Sequence, residues 1–131
     1  MDPSLHASHL ERRKVLVVDD DSSNALLSQI ILERLGYEVR VCASGVEAEV
    51  VFRAMGSEFA FVASDYSMTP INGLELAERL LAIEPRAVVL VITGYDHPAL
   101  FMQAERMGIH LVSPKPTTAG EFLDILHEMG L

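Results

Sequence analysis

The sequence predicts an α/β domain, a parallel sheet with helices on both faces. Two observations lead there. Short apolar runs alternate with segments whose apolar residues recur every three or four positions, and this β-α order repeats five times. Most of the short runs are apolar throughout, as strands covered on both faces are. The chain has 131 residues, half of them apolar, enough for one domain with its own core.

The expected strands are Val15–Val18, Glu38–Cys42, Phe59–Ser64, Ala87–Thr93 and Ile109–Val112. Leu26, Leu27, Ile30, Ile31 and Leu35 mark a first helical stripe, with Gly36 as its C-terminal stop. Segments around 46–55 and 98–107 are also read as helices. Leu74, Ala77, Leu80 and Leu81 mark another helix, and Phe122, Ile125, Leu126 and Met129 the last. Residues 1–12 read as a flexible lead and 13–131 as the domain. The last helix runs to the end of the sequence, which leaves no room for an effector domain.

Charge and composition narrow the function. A net charge of −9 gives no general attraction for phosphate backbones, so direct nucleic-acid binding is not expected. No apolar run reaches the ~18 residues of a membrane helix, and the N-terminus has no apolar signal core. A cytoplasmic protein with no membrane partner is expected. The single cysteine, Cys42, cannot form an internal disulfide and reads as buried filler. The five histidines, among them His6 and His9 in the lead, form no convincing zinc site.

Ligands of open parallel sheets bind beyond the carboxyl ends of the strands. Asp19, Asp20 and Asp21 follow the first strand, Asp65 the third, Thr93 the fourth and Lys115 the fifth. Adjacent carboxylates repel unless a hard cation sits among them. Mg2+ suits such a site, because it takes one or two carboxylates, water and a phosphate. Lys115 can pair with a carboxylate or a phosphoryl oxygen, and Thr93 can donate a hydrogen bond to one. Asp65, apart from the acidic run, can serve as nucleophile. Each residue alone has a plainer reading. Asp21 or Ser22 serves equally as a helix N-cap, Thr93 as packing, and Lys115 as a solvated lysine between prolines.

"VLVVDDD", "DYSMTPINGLEL", "VLVITG" and "KP" together resemble the receiver domain of two-component response regulators, the single-domain chemotaxis type included, over about residues 13 to 129. The resemblance implies a flavodoxin-like (βα)5 three-layer sandwich, doubly wound, with strand order 2-1-3-4-5. It implies a signalling switch rather than an enzyme, beyond self-catalysed phosphoryl acceptance and slow autodephosphorylation. Asp65 would take a phosphoryl group from a histidine kinase or histidine phosphotransfer protein. Mg2+ (or Mn2+) would be held by Asp20, Asp65 and the Ser67 carbonyl, with Asp19 acting through a bound water. Thr93 and Lys115 would hold phosphoryl oxygens, and the Lys115–Pro116 bond would be cis. The domain would be a monomer or weak homodimer signalling to an unidentified downstream protein.

Some positions depart from the family pattern. Thr69 separates Met68 from Pro70, Asn72 replaces an aspartate before the loop glycine, and Pro114 precedes Lys115. Val112 stands where an aromatic ring is common, so the ring half of the family's switch is missing. Output is expected through the helix after Thr93. Leu100, Ala104 and Met107 would face inward there and Phe101 outward, with Phe101 and Val112 as the possible output surface. Two other readings stand beside this one. "VVDDDSS" is also similar to the first motif of haloacid dehalogenase-like phosphatases, with Asp19 as nucleophile and Asp21 as acid/base. A receiver-like binding module without phosphorylation is the other.

Overall fold

The computed structural model describes residues 13–94 and 97–131. The expected lead, with His6 and His9, lies outside the described residues. Five parallel strands, β1 (Lys14–Val18), β2 (Glu38–Cys42), β3 (Phe59–Asp65), β4 (Val89–Ile92) and β5 (His110–Val112), form one sheet in the order β2-β1-β3-β4-β5. The helices between and after them are α1 (Ser22–Arg34), α2 (Gly45–Met55), α3 (Gly73–Ile83), α4 (Pro98–Met107) and α5 (Ala119–Glu128). A 3-10 turn, Gly56–Glu58, leads into β3.

The apolar strands are explained by two cores, one on each face. Val15 and Val17 pack on one side with Ile31, Leu32, Phe122 and Leu126 of α1 and α5. Leu16 and Val18 point the other way and pack with Phe52, Leu76, Leu80 and Ala104 of α2, α3 and α4. Alternation therefore never reaches water in β1, β3 or β4, and each fully buried Leu or Val contributes about 1.5–3 kcal/mol. Polar residues appear only where these strands end. Cys42, at the end of β2, is buried. Burial and the Glu47 carboxylate push its thiol up to about 11. Among the described residues no helix is long and apolar enough to cross a membrane.

The structure corrects the reading of α1. Its core contacts are Ala25, Ile31 and Leu32, while Leu26, Leu27 and Ile30 are exposed. Apolar residues surround this helix, so spacing alone does not choose its inner face. Asp21 caps it, accepting from the N–H groups of Ser23 and Asn24, and Gly36 follows it in the left-handed region at φ 99°. The stripes of α3 and α5 face inward as expected, with Leu74, Ala77, Leu80, Phe122 and Leu126 buried. In α4, Leu100 and Ala104 are buried and Met107 packs partly against the same core. Phe101 is half-buried, and Met102 is the more exposed apolar group.

Candidate functional site

The carboxyl edge of the sheet gathers the predicted residues because the parallel ladder continues past the strands. The Asp19 N–H donates to the Cys42 carbonyl (3.1 Å), Tyr66 N–H to Ile92 (2.8 Å), and Thr93 N–H to Val112 (2.9 Å). Asp19 and Thr93 are thus fixed one residue beyond β1 and β4, and Asp65 is the last residue of β3. Beta1 and β3 are neighbours in the sheet. The chain leaves them in opposite directions, and the strand order reverses there, where α/β sheets bind ligands.

Asp19 and Asp65 are buried, Asp20 is exposed, and one carboxylate oxygen from each lies within 4.8 Å of the others. Lys115 Nζ lies 3.1 Å from Asp65 Oδ1. Burial is the largest influence raising the Asp19 pKa, and Asp65 and Asp20 add to it. The Asp21 N–H, which donates to Asp19 Oδ1 at 2.9 Å, and Lys115 pull it down. Three hard oxygen donors converging against repulsion fit a divalent cation such as Mg2+. Thr93 is fully buried. Ser67 sits two residues past Asp65 on the exposed side of the loop.

Asp21 does not join the cluster, since its Oδ1 accepts from Ser23 (2.9 Å) and Asn24 (3.1 Å). The cis bonds also differ from expectation. Among the described residues they are Thr69–Pro70 and Ser113–Pro114, not Lys115–Pro116. Prolines on both sides of Lys115 allow the chain to turn at either, and it turns before the lysine. Val112 packs, half-buried, against the core on the α1/α5 side.

Sequence reasoning missed several neighbours. Ser64, fully buried, donates its hydroxyl to the Asp65 carbonyl at 3.0 Å. Asn24, Leu27, Ser28 and Thr117 line a cleft of about 60 Å³ with Asp65 and Lys115. The i, i+4 spacing of Asn24 and Ser28 was the available signal, since it puts both on one face of α1. The cleft is far smaller than the ~300–1,000 Å³ typical of small-molecule sites.

The sequence model of the response regulator receiver domain matches residues 15–127. The chain belongs to this family. Its receiver domain is 32% identical over 130 residues to two-component response regulator 24 of Arabidopsis thaliana, covering 97% of this chain and 88% of that protein. It is 28% identical over 131 residues to the sensory/regulatory protein RpfC of Xanthomonas campestris, covering 96% of this chain but only 18% of RpfC. Among solved structures, the chemotaxis protein CheY4 of Vibrio cholerae superimposes with a TM-score of 0.79 at 26% identity, covering 88% of this receiver and 96% of that chain. The family places this receiver in two-component signalling.

Proposed function

We propose that this receiver is a phosphorylation-activated switch whose acceptor is Asp65. An Asp65 oxygen attacks the phosphorus of a phosphohistidine on a kinase or phosphotransfer protein. The P–N bond breaks, its electron pair returns to the imidazole, and that nitrogen takes a proton from water. The observation that carries the reading is the Asp65 carboxylate, held at once against Lys115 and within 4.8 Å of two other carboxylates.

Asp20, Asp65 and the Ser67 carbonyl would hold Mg2+ or Mn2+, with Asp19 acting through a bound water. The metal supplies positive charge that offsets the phosphoryl oxygens. Lys115 exchanges its carboxylate partner for a phosphoryl oxygen, and Thr93 donates to another. Thr93 is already enclosed. Its inward movement is therefore small, in keeping with Val112 having no ring to turn.

The exposed Leu26, Leu27 and Ile30 make an apolar stretch on α1, and Leu27 borders the cleft. That stretch suits the docking of the phosphodonor, which must bring its histidine to Asp65. Output goes to a downstream protein through the groove between α4 and β5, lined by Phe101, Glu105, Ile109, His110 and Leu111. Residues 13–131 act as one domain, monomeric or weakly dimeric, in the cytoplasm where ATP-charged kinases work.

Acetyl phosphate with Mg2+, followed by mapping of the modified residue, tests the reading. Label on Asp65, lost in Asp65→Asn and without Mg2+, is the expected result. Label on Asp19 would favour the phosphatase reading, which the capping role of Asp21 already weakens. No label at all would leave a binding module.

A further inference from the structure

The loop that follows Asp65, residues 66–72, is held at three places. The Tyr66 carbonyl accepts from Met68 N–H (3.0 Å) and Gly73 N–H (2.9 Å). Asn72 and Glu75 cap α3 reciprocally, each side chain accepting from the other's N–H at 2.9 Å. The third hold comes from the opposite side of the loop. Ile71 is 7% exposed and rests on Gly45, the first residue of α2. A Cβ on residue 45 would lie 2.6 Å from Ile71 Cγ1 and 2.7 Å from its Cδ1.

We propose that Gly45 is a positioning residue for the metal and phosphoryl site. Its missing side chain is the seat that lets Ile71 set the height of the acceptor loop. This rests on the reading of Asp65 and Ser67 given above. Gly45 has no positive φ, so space and not backbone freedom is what calls for glycine there. The seat itself is stiff. Ser44 Oγ accepts from Glu47 N–H (3.1 Å) and Glu47 Oε2 accepts from Ala43 N–H (3.2 Å), which makes the first turn of α2 rigid, and the buried Ala48 and Phe52 hold the helix against the core. Ile71 is β-branched and enclosed, so it has little rotamer freedom with which to swing aside. A methyl on residue 45 therefore lifts Ile71 and, with it, the loop that carries Ser67. At the loop's far end Gly73 is packed so closely that a Cβ would collide with the Asp65 carbonyl. The loop cannot yield there, and the displacement falls on residues 66–71.

The test compares the parent, Gly45→Ala, Ile71→Ala and the double variant by three readouts. These are Mg2+ affinity by calorimetry, amide exchange at 66–72 in metal-free protein, and Tm. Gly45→Ala should weaken Mg2+ binding about tenfold, the scale of disturbing a metal site's supporting residues, and speed exchange at 66–72 but not at 14–18. Adding Ile71→Ala should restore most of the affinity, although Tm falls further because a buried side chain is lost. Affinity and stability then move in opposite directions, which a purely structural role does not produce. Parental Mg2+ affinity in Gly45→Ala, or a double variant worst in both readouts, overturns the proposal.

If Gly45→Ala does not fold, Ile71→Leu disturbs the same seat at constant volume. It should weaken Mg2+ binding with little change in Tm, and unchanged affinity there is equally fatal. Acetyl phosphate labelling of the parent keeps the two readings apart. A parent that binds Mg2+ but takes no label fails as a switch, while the Gly45 comparison still reads through affinity and exchange.

Discussion

Replacing Asp19 by Asn should stabilise the metal-free protein. Two unit charges at the cluster's limiting separation of 4.8 Å interact by about 0.9 kcal/mol in bulk water and about 3.5 kcal/mol at an effective permittivity of ~20. Asp19 faces two carboxylates and one ammonium, so about one such repulsion remains, and burial adds to its cost. Asn keeps the acceptor for the Asp21 N–H. The expected gain is about 1–2 kcal/mol, or about 4–7 °C in Tm for a chain of this length. In Mg2+ at about 100 times the dissociation constant the parent gains about 2.7 kcal/mol. The variant binds the ion more weakly and gains less, so the order closes or reverses. Thermal unfolding followed by circular dichroism, in chelator and in saturating MgCl2, measures both. An Asp19→Asn variant less stable than the parent in chelator would refute the reasoning.

The same residue fixes a pH dependence. Its folded pKa is raised, so its stabilising contribution is present below the unfolded value of ~3.9 and is lost as pH rises through the folded value. The Tm gap between Asp19→Asn and the metal-free parent should therefore be full at neutral pH and close on acidification; a gap that widens towards acid contradicts this. Lys115→Ala removes the cation paired with Asp65. It should strengthen Mg2+ binding by roughly fivefold, the ~1 kcal/mol of a half-exposed ion pair, while acetyl phosphate labelling slows. Weaker Mg2+ binding would count against the competition between Lys115 and the metal. Phe122→Ala empties the centre of the α1/α5 core and should cost about 3–5 kcal/mol in urea unfolding, with Mg2+ affinity of the folded protein unchanged. Beryllofluoride with Mg2+ should slow amide exchange at 66–72 more than at 97–112, and the reverse would show a large movement of α4 despite Val112.

The strand ends were the most legible part of the chain. Apolar runs covered on both faces leave polar residues nowhere to sit except at their ends, so Asp19, Asp65 and Thr93 stood out, and the ladder fixes them at one edge. Lys115 was legible only beside them, as an amine in the loop after the fifth strand, since β5 is not covered on both faces. The inner face of α1 was not, because Leu26, Leu27 and Ile30 continue the apolar surface around the helix, and only the sheet decides which side is covered. The cis bond was assigned to Pro116 and lies at Pro114, since local sequence does not rank two prolines flanking one lysine. The seat of Ile71 on Gly45 joins residues far apart in the chain, and no local period announces it.

Cys42 gives this protein a clock of its own. It is the single cysteine, its thiol is enclosed and held mostly protonated, and its carbonyl fastens the Asp19 N–H. Its side chain lies in the core with Ala48, Phe52 and Ile71, and thiolate is the reacting form, so a maleimide or disulfide reagent waits for that packing to open. The rate of modification then counts those openings directly, with no label engineered into the chain. Measured with and without Mg2+, it reports how readily the core beneath the acidic site opens, and whether a bound ion makes that event rarer.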